Sequence, residues 1–320
     1  MKRFAAILVT ACFVTLPLST ALAQSYPTRP VHVIVSFAPG GPVDTVARIV
    51  GQKLTEILGQ PAIVENRPSS TGNLGTQVVA KSAPDGYTIL ATSSAFAVNV
   101  TLSPNAGYEP GDLAPIVQAA TQPNVIVVNS TFPAKSLPQL LEMAKTMKLA
   151  YASPGTGTTP HLTGEHIFKL IAKLDITHIP HKGAGPAAAA VAANEPPIGS
   201  LAVTAPMPFL KSGRLRALAI SGATRSPQLP DVPTFIELGY PEIQEYTWVG
   251  FFAPKGTPPE IVQKLNDAIN RALQMPDVRE KLEALTLEPV GGTPQQFADY
   301  VRAEVVKWGI VVKETGARVD

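Results

Sequence analysis

The sequence predicts an α/β protein with two domains. Short β-branched runs alternate with helical patterns along most of the chain, and a second series of such runs begins near Asn124. Strands that alternate with helices indicate a parallel sheet covered on both faces. The chain has 320 residues, which is enough for two domains of ordinary size.

Residues 1–23 are expected to form a signal peptide that takes no part in the fold. A positive start at residues 2–3 precedes an apolar run over 4–18 and the motif Ala-Leu-Ala at 21–23. These are the three parts of a secretory signal peptide, with cleavage after Ala23. Because the apolar run is too short for a membrane-spanning helix, we expect an exported protein.

Cys12 is the only cysteine of the chain and lies inside this segment. Residues 9–12 also resemble a lipidation motif. Cleavage there would leave the apolar residues 13–18 exposed on the mature chain, so we favour cleavage after the Ala-Leu-Ala motif. Residues 24–320 then contain no disulfide and no thiol chemistry, and the core alone stabilises the fold.

The charge of the expected mature chain excludes two classes of partner. The whole chain has 26 basic and 24 acidic residues, and two of the basic ones lie in the signal segment, which leaves 24 of each. A balanced charge offers no basic field for nucleic acid and no polybasic stretch for a lipid surface. We therefore expect neither nucleic acid nor a membrane surface as partner.

The first part of the mature chain contains two strand–helix units and a third strand. Apolar residues recur at three- and four-residue spacing in the first helix, and Gly59 ends it. The strands are short runs rich in β-branched residues. The predicted strands are 31–35, 62–66 and 87–92, and the predicted helices are 43–58 and 72–81.

The same alternation returns from Asn124 onward, and helices then dominate to the C-terminus. Prolines fall largely at the ends of elements, where they mark boundaries. The predicted strands are 125–128, 149–153, 176–179, 215–220 and 247–252. The predicted helices are 137–147, 161–172, 187–193, 259–274, 276–285 and 294–314.

Three loops share one design, in which a strand leads through Gly, Pro or Thr residues into the start of a helix. They are 37–44, 153–161 and 181–186. A helix start has unpaired N–H donors and a partial positive charge, and glycine lets the backbone approach a ligand. In open α/β sheets such loops lie beyond the carboxyl ends of the strands, where ligands bind.

Two or more of these loops that face one cleft would hold a carboxylate mainly by backbone N–H and hydroxyl groups. Any one of them alone could be an ordinary connection between a strand and a helix. The candidate ligand-binding residues are Phe37, Ala38, Pro39, Gly40, Gly41, Asp44, Ser153, Gly155, Thr156, Gly157, Thr158, His161, Lys182, Gly183, Ala184 and Gly185.

Enzyme motifs are missing from the sequence, and we expect no catalytic residue, no metal and no cofactor. Residues 37–41 form neither a dinucleotide fingerprint nor a P-loop, and no Gly-x-Ser-x-Gly elbow is present. His161 and Glu165 share one helix face, but His166 points away from both, so the segment does not form a metal helix. Asp44 could serve as a general base, yet an acid in a first helical turn usually complements the helix dipole.

Read together, the motifs of the mature chain resemble the substrate-binding receptors of tripartite tricarboxylate transporters, the Bug-type periplasmic proteins. The resemblance covers essentially the whole mature chain, in order. It is carried by Tyr-Pro-Thr-Arg-Pro at 26–30, Phe-Ala-Pro-Gly-Gly at 37–41, Leu-Gly-Gln-Pro at 58–61, Val-Glu-Asn-Arg-Pro at 64–68, Ala-Pro-Asp-Gly-Tyr at 83–87, Tyr-Ala-Ser at 151–153, Lys-Gly at 182–183, Gly-Arg-Leu-Arg-Ala-Leu at 213–218 and Leu-Pro-Asp-Val-Pro-Thr at 229–234.

That resemblance implies a two-domain periplasmic binding protein, type II-like, with a ligand cleft between the domains. Domain 1 would comprise 24–123 and 248–320, and domain 2 would comprise 124–247. The cleft would close by a hinge motion near 122–124 and 245–248. The first and second loops would hold the ligand carboxylate. The end of a neighbouring strand would add Thr92, Ser93 and Ser94 to the candidate residues.

The resemblance also implies a periplasmic location, a monomeric receptor and a partner in the membrane. That partner would be the permease subunits of a tripartite transporter or, as an alternative, a sensor kinase of a two-component system. An exported hydrolase or metal-dependent enzyme is the remaining alternative, and it would require turnover that depends on His161 or Asp44.

The chain departs from the family pattern at two places. His181 stands where many relatives have Tyr, and an uncharged stretch over 198–208 follows Pro196-Pro197 where many relatives have acidic residues. If that stretch faces the cleft, the distal half of the ligand meets an apolar wall. This disfavours amino-acid ligands, because their ammonium group requires an acid nearby, and leaves aromatic or aliphatic carboxylates.

Overall fold

The computed structural model describes residues 26–103 and 105–317. The predicted signal peptide, its cleavage position and Cys12 lie outside the described residues. The strands are β1 Val31–Val35, β2 Ala62–Asn66, β3 Thr88–Ser93, β4 Leu113–Asn129, β5 Leu149–Ser153, β6 Ile176–Pro180, β7 Ile198–Ala202, β8 Leu215–Ile220, β9 Tyr246–Pro254 and β10 Glu288–Pro289.

Helices cover the faces of these strands. They are α1 Pro42–Leu58, α2 Asn73–Ala80, α3 Ala95–Leu102, α4 Leu137–Met143, α5 Thr159–Glu165, α6 Ala184–Ala192, α7 Met207–Lys211, α8 Pro259–Gln274, α9 Pro276–Glu283 and α10 Pro294–Thr315. The segment His166–Ile171 continues α5 as a π-helix. In the part of the chain that the structure describes, no helix has both the length and the apolar character needed to cross a membrane.

Strand β4 passes through both sheets and connects them. Its first part, through Pro123, pairs with β9, and its second part, from Asn124, pairs with β7 and β8. The strand order is β2-β1-β3-β9-β4-β7-β5-β6. We call the β1–β3, β9 side with α1–α3 and α8–α10 lobe I, and the β5–β8 side with α4–α7 lobe II.

The expectation of a parallel sheet is wrong for the strands at the centre. β1 pairs in parallel with β2 and β3, and β5 pairs in parallel with β6 and β7. β9 is antiparallel to β3 and β4, and β7 is antiparallel to β4. The reason is that β4 and β9 are crossing strands that connect the lobes instead of belonging to strand–helix units.

Four elements were not predicted, namely α3, β7, α7 and β10, and β4 was predicted only in part. β4 is much longer than the predicted strand 125–128, because Pro115 and Pro123 interrupt its pattern and β-bulges accommodate the irregular pairing. α3 is buried on nearly all sides and has no amphipathic spacing. β7, α7 and β10 are short, and Gly199 and Ser200 give β7 little strand character.

The C-terminal helix α10 is tied to the core of lobe I by one buried carboxylate. Glu304 accepts hydrogen bonds from the indole nitrogens of Trp248, at 3.0 Å, and Trp308, at 2.8 Å. Both tryptophans are fully buried, and Trp248 meets Phe297 edge to face with ring centroids 5.5 Å apart. Buried polar groups need such partners, because an unpaired donor carries its full desolvation penalty.

Replacement of Glu304 by Ala should therefore lower the free energy of unfolding by about 2–4 kcal/mol, because two buried indole donors lose their acceptor. Glu304→Gln retains an acceptor oxygen and should cost clearly less. Urea unfolding followed by circular dichroism measures both values, and Glu283→Ala on the exposed surface of α9 is the control. Equal losses for the Ala and Gln variants would show that the shared carboxylate is not what stabilises this helix.

A cleft between two lobes as the candidate functional site

A small cavity lies between the two lobes, with room of only ≈ 20 Å³ for water-sized spheres in this arrangement. It is bordered by the ends of strands and the starts of helices. The lining residues are Phe37, Ala38, Gly41, Pro42, Val43, Asp44, Ser93 and Thr247 from lobe I, and Pro154, Thr158, Pro160, Ala184 and Ala202 from lobe II.

Three helices begin at this cavity. α1 begins at Pro42, α5 begins at Thr159 after its N-cap Thr158, and α6 begins at Ala184. Proline occupies a first helical position in α1 and α5, where its missing N–H costs nothing. The first turn of a helix presents N–H groups without intrahelical partners and a partial positive charge. The convergence of three such ends produces a site suited to an anion.

Asp44 fixes the first loop, and its carboxylate is fully engaged. One oxygen accepts from Gly40 N at 3.1 Å, and the other accepts from Arg48 Nε and Asn66 Nδ2, both at 2.9 Å. Asn66 also donates to Phe37 O at 2.9 Å. Burial opposes ionisation of Asp44, but these donors hold its pKa below the ordinary value. Asp44 therefore shapes the loop as a carboxylate.

The first and third loops touch across the cleft, backbone against backbone. Ala38 N donates to Lys182 O at 2.9 Å. Gly183 and Gly185 face Ala38 and the Pro39–Gly40 backbone so closely that a Cβ would meet them. The N–H of Ala38, one of the predicted ligand donors, is therefore taken by the opposite lobe in this closed arrangement.

Of the strand-end residues, only Ser93 reaches the cavity. Thr92 Oγ1 hydrogen-bonds Ser36 Oγ at 2.8 Å inside lobe I. Ser94 Oγ lies 3.1 Å from Thr159 Oγ1, whose hydroxyl is also 2.7 Å from Thr247 Oγ1. Ser94 thus connects the lobes without lining the cavity.

That buried polar chain continues through the crossing strands. Thr247 Oγ1 donates to Asn124 Oδ1 at 2.7 Å, and Asn124 Nδ2 donates to Thr163 Oγ1 at 2.9 Å. Thr163 Oγ1 donates to Glu245, whose other oxygen is 2.9 Å from His166 Nδ1. The hydrogen bond to Glu245 raises the pKa of His166.

The second loop is supported from behind by two histidines. His178 Nε2 is 2.6 Å from Ser153 Oγ, and Gly157 N donates to His161 Nδ1 at 3.3 Å. The two rings stack with centroids 4.0 Å apart. Burial lowers the pKa of His161 to about 4, and burial with the neighbouring His161 lowers that of His178 to about 3. Both rings are therefore neutral near pH 7.

Several candidate residues lie beside the cavity rather than on it. His161 borders a separate depression that it shares with Glu165, Lys169 and His178. The remaining candidates outside the cavity lining are Pro39, Gly40, Thr92, Ser94, Ser153, Gly155, Thr156, Gly157, Lys182, Gly183 and Gly185. Most of these position the loops, and Gly155 packs against the backbone of Ser70 in lobe I.

Sequence reasoning missed six cavity residues: Pro42, Val43, Pro154, Pro160, Ala202 and Thr247. The first four lie inside the predicted loops 37–44 and 153–161 but were not named among the candidate residues. Ala202 ends β7, a strand that was not predicted. Its position in the uncharged stretch 198–208 brings that stretch to the cavity, whereas Pro196 and Pro197 do not line it.

Two α/β lobes joined by crossing strands, with a cavity at converging helix starts, define a periplasmic binding protein. The sequence profile of the "Tripartite tricarboxylate transporter family receptor" matches residues 46–317. The chain belongs to this family of solute-binding receptors, as the sequence motifs predicted. Its expected character as a receptor, and not an enzyme, is confirmed by this membership.

Protein BugT of Bordetella pertussis is 40% identical over 302 residues, which span 93% of this chain and 92% of BugT. The solved periplasmic binding protein BugD has a TM-score of 0.88 at 32% identity and covers 92% of this chain and 99% of its own. A Rhodopseudomonas palustris protein solved with adipate has a TM-score of 0.88 at 33% identity, over 92% of this chain and all of its own. The predicted fold class is confirmed.

The stacked histidines make stability depend on pH between about 6.5 and 3. Their folded-state pKa values lie below the ordinary 6.5, so the unfolded chain binds more protons in this window and stability falls as the pH is lowered. Each histidine contributes up to about 1.4 kcal/mol per pH unit. His178→Gln should reduce this slope while an amide still faces Ser153.

Urea unfolding at a series of pH values measures the difference between wild type and His178→Gln. The difference should be constant from pH 7.5 to 8.5, where both rings are neutral, which serves as the internal control. It should then change steadily below pH 6.5. Parallel stability curves down to pH 4 would contradict a neutral, buried His178.

Proposed function

We propose that this receptor captures a small carboxylate in the cleft, in the periplasm, and delivers it to the permease subunits of a tripartite tricarboxylate-type transporter. The observation that carries the proposal is the convergence of the starts of α1, α5 and α6 on one cavity. Membership of the receptor family supports the transporter as partner.

The cavity suits an anion held by backbone groups. N–H groups of the first turns of three helices provide donors, and the hydroxyl of Ser93 borders the same space. The hydroxyls of Thr158 and Thr247 also border it but donate to Gly155 O and Asn124 Oδ1. Among the lining residues none is cationic, and Asp44, the only ionisable one, is engaged within its own loop. A related protein of the same fold was solved with adipate, a dicarboxylate.

The rest of the cavity is apolar. Phe37, Val43, Pro154 and Ala202 offer hydrocarbon surface, and no free acid is present among the lining residues to pair with an ammonium group. Burial of an unpaired charge is costly, so the preferred ligand has a carboxylate at one end and an aliphatic or aromatic body. Amino acids are disfavoured.

Capture would proceed by hinge closure of two domains, 24–123 with 248–320 and 124–247. The pairing of β4 changes from β9 to β7 between Pro123 and Asn124, and β9 begins at Tyr246. These positions agree with hinges near 122–124 and 245–248. Two short crossings allow rotation while each sheet stays intact.

Thermal unfolding of residues 24–320 against mono-, di- and tricarboxylates, with aromatic acids included, should reveal a carboxylate that raises Tm. At one hundred times its Kd a ligand stabilises by about 2.7 kcal/mol, a shift of a few degrees. The methyl ester of that acid should bind at least tenfold more weakly, which corresponds to about 1.4 kcal/mol. Chemically unchanged ligand after incubation is expected. An ester that binds within tenfold of the acid would refute anion recognition.

A negative charge placed inside the cavity should abolish carboxylate binding. The side chains of Ser93→Asp and Ser93→Asn are nearly isosteric and differ by one charge. The hydroxyl of Ser93 accepts a hydrogen bond from Ala95 N, and both replacements can preserve this bond. Two like charges about 5 Å apart repel by about 3 kcal/mol in a partly buried site, or more than a hundredfold in affinity. Isothermal titration calorimetry with adipate and with the best acid of the panel measures the ratio of the affinities of the two variants. Equal affinities would place the carboxylate elsewhere.

A further inference from the structure

One close approach of the two lobes involves only backbone atoms. The backbone of Pro39 and Gly40 in lobe I lies against Gly185 in lobe II, and a Cβ on Gly185 would collide with Pro39 O and lie 3.2 Å from Gly40 Cα. Real Cβ atoms essentially never approach that oxygen so closely. The hydrogen bond from Ala38 N to Lys182 O lies directly beside this contact.

The structure of lobe II does not explain why residue 185 is a glycine. It is the second residue of α6, a helix otherwise made of alanines with one proline and one valine. Its φ is not in the left-handed region, in contrast to Gly155 at +146° and Gly183 at +150°. Alanine forms helices better than glycine, so lobe II alone would favour alanine here. The groups that a Cβ would strike belong to lobe I.

Gly185 does not line the cavity, whereas its neighbour Ala184 does. We propose that Gly185 is one of the residues that permit the cleft to close: its missing Cβ allows lobe II to advance onto the Pro39–Gly40 backbone. It acts on ligand capture through the distance between the lobes and not through contact with the ligand. This inference rests on the proposed function only for its consequence in transport, since the contact itself belongs to the fold.

Gly185→Ala should therefore leave the lobes folded but prevent full closure. Helical geometry accepts the methyl group, so Tm in the absence of carboxylates should be unchanged or higher. Gly111→Ala is the matched control, because Gly111 also lacks a left-handed φ and a Cβ there meets nothing within 4 Å. Gly155 and Gly183 cannot serve as probes, since their φ values strain any other residue.

Closure can be measured without any ligand as the rate at which a disulfide forms across the cleft. An ideal Cβ on Gly41 lies 3.3 Å from Ala184 Cβ, near the separation of about 3.5–4.5 Å found in disulfides. Gly41 has φ −100°, which any residue adopts. Residues 24–320 contain no cysteine, so the double variant Gly41→Cys with Ala184→Cys introduces the only thiols.

Oxidation of this double variant should close the disulfide readily, and the added Gly185→Ala should slow it at least tenfold, whereas Gly111→Ala should not change the rate. Equal rates with and without Gly185→Ala would overturn the proposal. So would failure of the parent pair to oxidise, because the lobes would then not reach the described contact. The rates need no carboxylate, so a negative ligand panel would defeat the proposed function and leave this result standing.

Discussion

The arrangement of the whole molecule depends on the hydrogen bonds where β4 and β9 cross between the lobes. Thr247 on β9 donates to Asn124 on β4, and Asn124 donates to Thr163 on α5. All three side chains are buried, so any shift that broke one of these bonds would leave a polar group unpaired in the interior. This fixes α5 beside the crossing strands, next to the cavity that Thr247 lines.

The sequence carried enough information for most helices and for the loops, and for the crossing strand β9, but not for the full length of the crossing strand β4. α1 and its preceding glycine loop follow from apolar spacing and from residues that tolerate a tight turn, both of which are local properties. β4 could not be recognised at full length, because its pairing partners lie far away in sequence and its prolines are tolerated only through bulges. β7 depends on burial between two neighbours and has no strong strand preference of its own.

The candidate site was predicted to the level of loops and not to the level of side chains. The direction in which a side chain points depends on packing, and so His161 turns to the back of its loop, where it stacks on His178. Ala202 carries no chemical signal in a sequence, yet it helps to make the cavity apolar. A site built from backbone donors leaves few side chains to recognise, so glycines and helix starts were the only available evidence.

The carboxylate of Glu304 has a consequence for spectroscopy. It binds both indole nitrogens, and Trp248 and Trp308 are the only two tryptophans of the chain. Both fluorophores therefore share one dry, rigid environment within lobe I, and neither borders the cavity. Their emission reports mainly the integrity of that lobe, and Trp248, at the end of the proposed hinge segment 245–248, is the one of the two that is placed to respond to closure of the cleft.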